Sequence, residues 1–119
     1  MKQEDKELLL KDLCSRLPYG VKGYADGYIS TLEGVNVIDS IVEYDMYCQI
    51  VVEEFTPYLF PLSSITPKQK AELSMLVVGV EDIFKSFLIE VEFYHKHHID
   101  YRGLIPMGLA VDATGLNIY

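Results

Sequence analysis

The spacing of apolar residues changes period twice along this chain, each time beside a proline, and that pattern constrains the fold more than any other feature. Ahead of Pro18, Leu9, Leu10, Leu13 and Leu17 recur every three or four residues, which predicts a helix over residues 4–16 with one apolar stripe. Pro18 ends it, because the residue before a proline is pushed out of the α region. Glu7–Lys11 and Asp12–Arg16 stand four apart in the favourable order and are expected to add roughly a few tenths of a kcal/mol each.

From Tyr19 to Val52 the period is two. Asp26-Gly27, between residues 21–25 and 28–33, is a two-residue hairpin signal, since a type I′ turn needs positive φ at both central positions. Gly34 is expected to close the second strand. Ile38, Val42 and Tyr44 alternate with Asp39 and Glu43, which predicts a third strand over residues 35–44. Met46, Cys48, Ile50 and Val52 mark a fourth, half-buried strand. Connections this short predict an antiparallel meander of about four strands, one face of which carries many of the nine tyrosines.

Residues 56–64 hold Pro57 and Pro61, which exclude a helix and make a central strand poor, so an extended connector across the core or along a sheet edge is expected. The helical period then resumes. Thr66 at the N-cap, Pro67 at N1 and Gln69 at N3 form a capping box. This helix ends at or before Gly79, and residues 75–78 read either as its last turn or as a short buried strand. Residues 81–98 predict a last helix whose core stripe is Phe84, Phe87, Leu88, Val91, Tyr94 and His95. Leu104, Ile105, Met107, Leu109 and Val111 supply a short C-terminal apolar segment returning to the sheet. The expected architecture is therefore α+β: an N-terminal helix, the meander, and two further helices packed on one face. At 119 residues, one domain over 1–119 is expected.

Charge narrows the partners. The net charge is −8, and between Gly23 and Pro67 there is no Lys or Arg but seven acidic residues. Phosphate backbones are bound by Lys and Arg, so direct nucleic-acid binding is disfavoured. No apolar run approaches the roughly 18 residues of a membrane span, and the charged start Met1–Lys6 is unlike a signal peptide. Cys14 and Cys48 stand alone without metal or redox spacing, which favours a reducing, cytoplasmic setting over a single disulfide between them.

All three histidines fall within four positions, in Phe93-Tyr94-His95-Lys96-His97-His98-Ile99-Asp100-Tyr101-Arg102-Gly103-Leu104-Ile105. Three readings compete there. Glu92, His95 and His98 lie at three-residue spacing on one helical face and are candidate metal ligands, although one such motif is half of a carboxylate-bridged site. His97, His98 and Asp100 are candidate acid–base residues, a carboxylate being able to fix a histidine tautomer. No nucleophile motif or phosphate loop accompanies them. The third reading is structural: histidines at the negative end of a helix, Asp100 accepting from turn amides or pairing with Arg102, and Gly103 allowing a sharp exit.

Three segments carry a resemblance: Leu9 to Val21, Tyr58-Leu59-Phe60-Pro61-Leu62-Ser63-Ser64-Ile65-Thr66, and His97-His98-Ile99-Asp100-Tyr101-Arg102-Gly103-Leu104-Ile105. They are similar to a family of short uncharacterised proteins of gut Bacteroidales and of their phages and mobile elements. In that family the connector usually carries a basic residue where this chain has Phe60. The resemblance implies a source and brings no activity with it. Function is therefore read as that of a small soluble accessory protein that binds another protein or a second copy of itself. The acidic strands and the tyrosines motivate this, with Asp100, Tyr101 and Arg102 as candidate binding residues. The reading invokes no cofactor. The alternative is a small metal- or histidine-dependent enzyme built on the block from His95 to Arg102.

Overall fold

The computed structural model describes residues 1–119. Helix α1 covers Gln3–Arg16. A 3-10 turn over Leu17–Tyr19 contains Pro18, and Gly20 at φ +68° reverses the chain into the sheet. Four strands follow as the predicted antiparallel meander: β1 Lys22–Ala25, β2 Tyr28–Asn36, β3 Ile41–Tyr44 and β4 Cys48–Val51. Asp26 and Gly27 both take positive φ, at 50° and 87°, as the hairpin signal requires.

The strand expected over residues 35–44 is two pieces. Strand β2 runs through Gly34 to Asn36, accommodated by a one-residue register shift between Leu32 and Gly34. Residues 37–40 are a turn, held by the Asn36 side chain accepting from the Asp39 amide at 3.0 Å, with Ser40 at φ +56°. The strand expected from Met46 begins instead at Cys48, because Asp45, Met46 and Tyr47 all adopt left-handed backbone. That turn is anchored from β2: Glu33 accepts from the Met46 amide, and Ser30 donates to Asp45 at 3.1 Å.

The proline-bearing connector is strand β5, Thr56–Pro61, and it lies inside the sheet rather than at its edge. It changes partners along its length. Thr56 and Pro57 pair antiparallel with β1. Tyr58 and Leu59 pair parallel with β7 (Val111–Asp112), and Phe60 and Pro61 pair parallel with β6 (Ile99–Asp100). The prolines sit at the second and last positions, so the strand's donors survive where they are used: Phe60 donates to the His98 carbonyl at 2.8 Å.

Helix α2, Pro67–Val77, begins with the full capping box of Thr66 and Gln69 and reaches Val77, so residues 75–77 are helical. Helix α3 is Ile83–Lys96, shorter at both ends than expected, with Asp82 accepting at its N-terminus from the Phe84 and Lys85 amides. The core is built by Leu9, Leu10 and Leu13 of α1 against Val21, Leu32, Val42, Val52, Phe55, Leu59 and Leu104. Each such buried aliphatic side chain stabilises by about 1.5–3 kcal/mol. The α2–α3 pair is different: α2 buries no residue, and α3 buries only Phe93 and His95 near its C-terminal end. No helix is long and apolar enough to cross a membrane.

Candidate functional site

The histidine block is the junction at which α3 stops and the chain enters β6. His97 closes the helix, its amide donating to the Phe93 carbonyl at 3.1 Å, and His98 at φ +59° turns the chain. The three imidazoles take three directions, His95 and His97 parted by their spacing at the end of the helix and His98 by the turn.

His95 points inward, buried, its Nε2 2.6 Å from the Tyr101 hydroxyl. Burial, then the Arg16 guanidinium, lowers its pKa, while burial raises that of Tyr101. Both shifts favour the neutral imidazole and the neutral phenol, which share this hydrogen bond. His98 stacks on the ring of Tyr119, centroids 3.7 Å apart and planes 12° apart. Its pKa is lowered to about 4 by burial first and then by Arg16, His97 and Lys22, so it stays neutral at ordinary pH. His97 packs against Phe93 at 4.4 Å and reaches within 3.8 Å of Glu72 on α2.

Asp100 is buried and committed twice, its two oxygens accepting from the amides of Leu104 at 2.9 Å and Ile105 at 2.8 Å. It makes no pair with Arg102, which contacts Asp12 instead. The candidate acid–base set of His97, His98 and Asp100 is therefore not brought together. Neither are the candidate ligands Glu92, His95 and His98: Glu92 is exposed and accepts from the Tyr19 hydroxyl at 3.2 Å. No three His, Cys, Asp or Glu side chains are grouped to hold a metal ion, and Cys14 and Cys48 are free and exposed. Gly103, at φ +80°, makes the exit that the structural reading expects.

The residues around this junction form a buried ionic cluster reaching to the other end of the sequence. Asp12 and Arg16 are both fully buried, with Arg16 Nε donating to Asp12 at 2.8 Å. Arg102 Nε donates to the other Asp12 oxygen at 3.1 Å, and Arg16 Nη2 donates to the Ile99 carbonyl at 2.7 Å. Both guanidinium groups lie within cation–π reach of the Tyr101 ring, at 5.6 and 5.0 Å. The pair expected to add little at a helix surface is thus the polar centre of the core. It fastens α1 to β6 and to the turn after it. Tyr101 and Arg102, offered by sequence as binding residues, are half-buried parts of this fastening.

The sequence reading missed a different surface. Phe84, Phe87 and Leu88, expected in the core stripe of α3, are 78, 63 and 66 % exposed. Ile83 beside them is also exposed, as are Met75, Leu76 and Val78 at the end of α2 and in the short link to α3. Seven large apolar side chains within residues 75–88 are thereby left exposed on two contacting helices and the link between them. A signal was present: Ile83, Phe84, Phe87, Leu88, Ile89 and Val91 make the helix apolar over more than one face, which a helix lying on a sheet does not need.

Compared with known proteins, the chain matches no protein-family model, no curated protein and no solved structure.

Proposed function

We propose that the protein acts by binding another protein chain, and that the apolar turn of the α2–α3 hairpin is the surface it uses. One observation carries this: seven large apolar side chains, from Met75 to Leu88, stand between 49 and 78 % exposed. By the usual area of such side chains, about 150–250 Å² for a phenylalanine and roughly 60–120 Å² for an aliphatic side chain, they offer on the order of 600 Å², the top of the roughly 300–600 Å² range that the largest patch on an ordinary monomer shows and that is often functional. Aromatic and large aliphatic groups of this kind anchor protein interfaces. The acidic strands lie elsewhere in the chain. The resemblance to short proteins of gut Bacteroidales and their phages supports an accessory role in the cytoplasm.

The histidine-dependent alternative has less support, since His97, His98 and Asp100 are separately engaged and His98 is held neutral. A photo-crosslinking side chain in place of Phe87 tests the proposal in host lysate and in purified protein. The expected result is a discrete adduct with a protein chain, lost when Phe84→Glu and Leu88→Glu are combined in a protein that keeps its helical spectrum. An adduct that survives the double substitution, or no protein adduct at all, overturns it.

A further inference from the structure

The α2–α3 turn lacks a cover, and its size, charge and shape narrow what can cover it. The exposed apolar area, on the order of 600 Å², would make up most of what one partner contributes to an interface of standard size, about 800 Å² a side. Its make-up is that of an interface between identical subunits, which is more apolar than one between occasional partners. Only Lys85, Glu81 and Asp82 carry charge within residues 75–88.

Charge is divided along the chain in a way that permits self-association. The whole protein carries −8. Residues 66–98 contribute Lys68, Lys70, Lys85 and Lys96 against Glu72, Glu81, Asp82, Glu90 and Glu92, so this segment is within one charge of neutral. Two copies that meet by their hairpins bring together the nearly neutral segment. The stretch without any Lys or Arg, residues 23–67, belongs to the meander and its neighbour β5. An anionic bilayer is a poorer occupant, because a surface potential of the same sign repels a chain with this net charge.

Shape points the same way. Helices α2 and α3 are 11 and 14 residues long, about 16 and 21 Å at the ordinary helical rise, and are joined by a short link. Two helical hairpins of this size pack face to face as an antiparallel four-helix bundle, with apolar positions of each filling the centre. An isologous contact about a two-fold axis closes on itself and leaves no apolar face open to further copies.

We propose that the partner at this surface is a second copy of the chain, the two α2–α3 hairpins joining about a two-fold axis as a four-helix bundle. This rests on the reading above that the surface binds protein, and it fails separately from it.

Sedimentation equilibrium of the purified protein reads the outcome. The expected mass is twice the 13.6 kDa of one chain. The Phe84→Glu, Leu88→Glu double variant is expected to weaken association by roughly a hundredfold or more, as loss of central hot-spot side chains does, while its thermal midpoint as a monomer stays near that of the parent. A second experiment does not depend on that variant folding. In a Cys14→Ser, Cys48→Ser background, Phe84→Cys is expected to give a covalent dimer on mild oxidation, whereas Tyr47→Cys at the exposed β3–β4 turn gives none. A monomer at high concentration overturns the proposal, as does a dimer unaffected by the double variant and not trapped through Phe84→Cys. Co-sedimentation of a monomer with phosphatidylcholine–phosphatidylglycerol vesicles overturns it in favour of a lipid surface. A monomer whose Phe87 crosslinker still captures one different host protein overturns self-association alone and leaves the protein-binding reading standing.

Discussion

Asp12 is the single carboxylate facing two guanidinium groups, the wholly buried Arg16 and the half-buried Arg102. Replacing it with alanine leaves both cations without their counter-charge. A loss of about 3–5 kcal/mol is expected, measured by urea unfolding, since a buried charge stripped of its partner keeps its desolvation cost. Histidine protonation acts in the same direction. In the folded chain His98 is lowered from 6.5 to about 4, and His95 is lowered too, both chiefly by burial. The unfolded chain therefore binds more protons as the pH drops. Stability is complete above the ordinary histidine range and is lost as pH falls from 6.5 towards 4, with a slope bounded by about 1.4 kcal/mol per pH unit for each full proton. His98→Asn, chosen because asparagine tolerates the φ of +59°, is expected to flatten that slope in unfolding titrations. Two phenols act at the alkaline end: Tyr94, raised to about 12 by burial and then by its bond to Glu90, and Tyr119. The Tyr119 hydroxyl accepts from the Lys22 amide and donates to the Tyr58 carbonyl, and burial pushes its pKa up to about 12. The unfolded phenols lose their protons first, so stability falls as pH rises from 10 towards 12.

At the scale of elements, the boundaries written in local chemistry were readable from the sequence and the partners were not. The capping box of Thr66 and Gln69 is present with both bonds, at 3.1 and 3.0 Å. Because α2 buries nothing, Thr66→Ala is expected to cost about 1 kcal/mol locally. Hydrogen exchange would show it as faster exchange in α2 with the sheet amides unchanged. Strand β5 shows the opposite case. Its prolines argue against a central strand, yet it is central because each segment of it bonds a different neighbour and none of those bonds needs a proline donor. Its neighbour β1 carries a second constraint invisible in sequence. The ring of Phe55, almost fully buried, occupies the place where a Cβ on Gly23 would stand. Gly23→Ala is expected to destabilise by about 1–3 kcal/mol, seen as a lowered thermal midpoint.

Across the whole molecule, 44 × 31 × 27 Å in extent, the core and the apolar hairpin turn are separate. The core is built by α1, the sheet, Val52, Phe55 and the segment from Leu104 to Ala110, and no residue of α2 or α3 belongs to it. Phe84, Phe87 and Leu88 lie on a helix as expected, but outside that buried cluster. Association through them has a salt signature. Raising ionic strength from about 0.01 to 0.1 M shortens the screening distance from about 30 to 10 Å. Two copies each at −8 are therefore expected to associate more tightly as salt is added, read from sedimentation equilibrium at both strengths. An interface made of ion pairs would weaken instead.

The chain by itself determined whatever depends on residues near one another: α1 and its stop at Pro18, the Asp26-Gly27 hairpin, the meander, and the Thr66 cap. These follow from φ preferences, short-range hydrogen bonds and apolar period, all of which act within a few positions. Tertiary structure alone decided what the histidine block is. Its three imidazoles lie within four positions, but helical spacing parts His95 from His97 and the left-handed backbone at His98 turns the third away, and Arg102 pairs with Asp12, ninety positions away. Tertiary structure also decided which apolar stripe is core and which is surface. That choice depends on the total area each layer can cover, a property of the assembled layers that no local spacing carries.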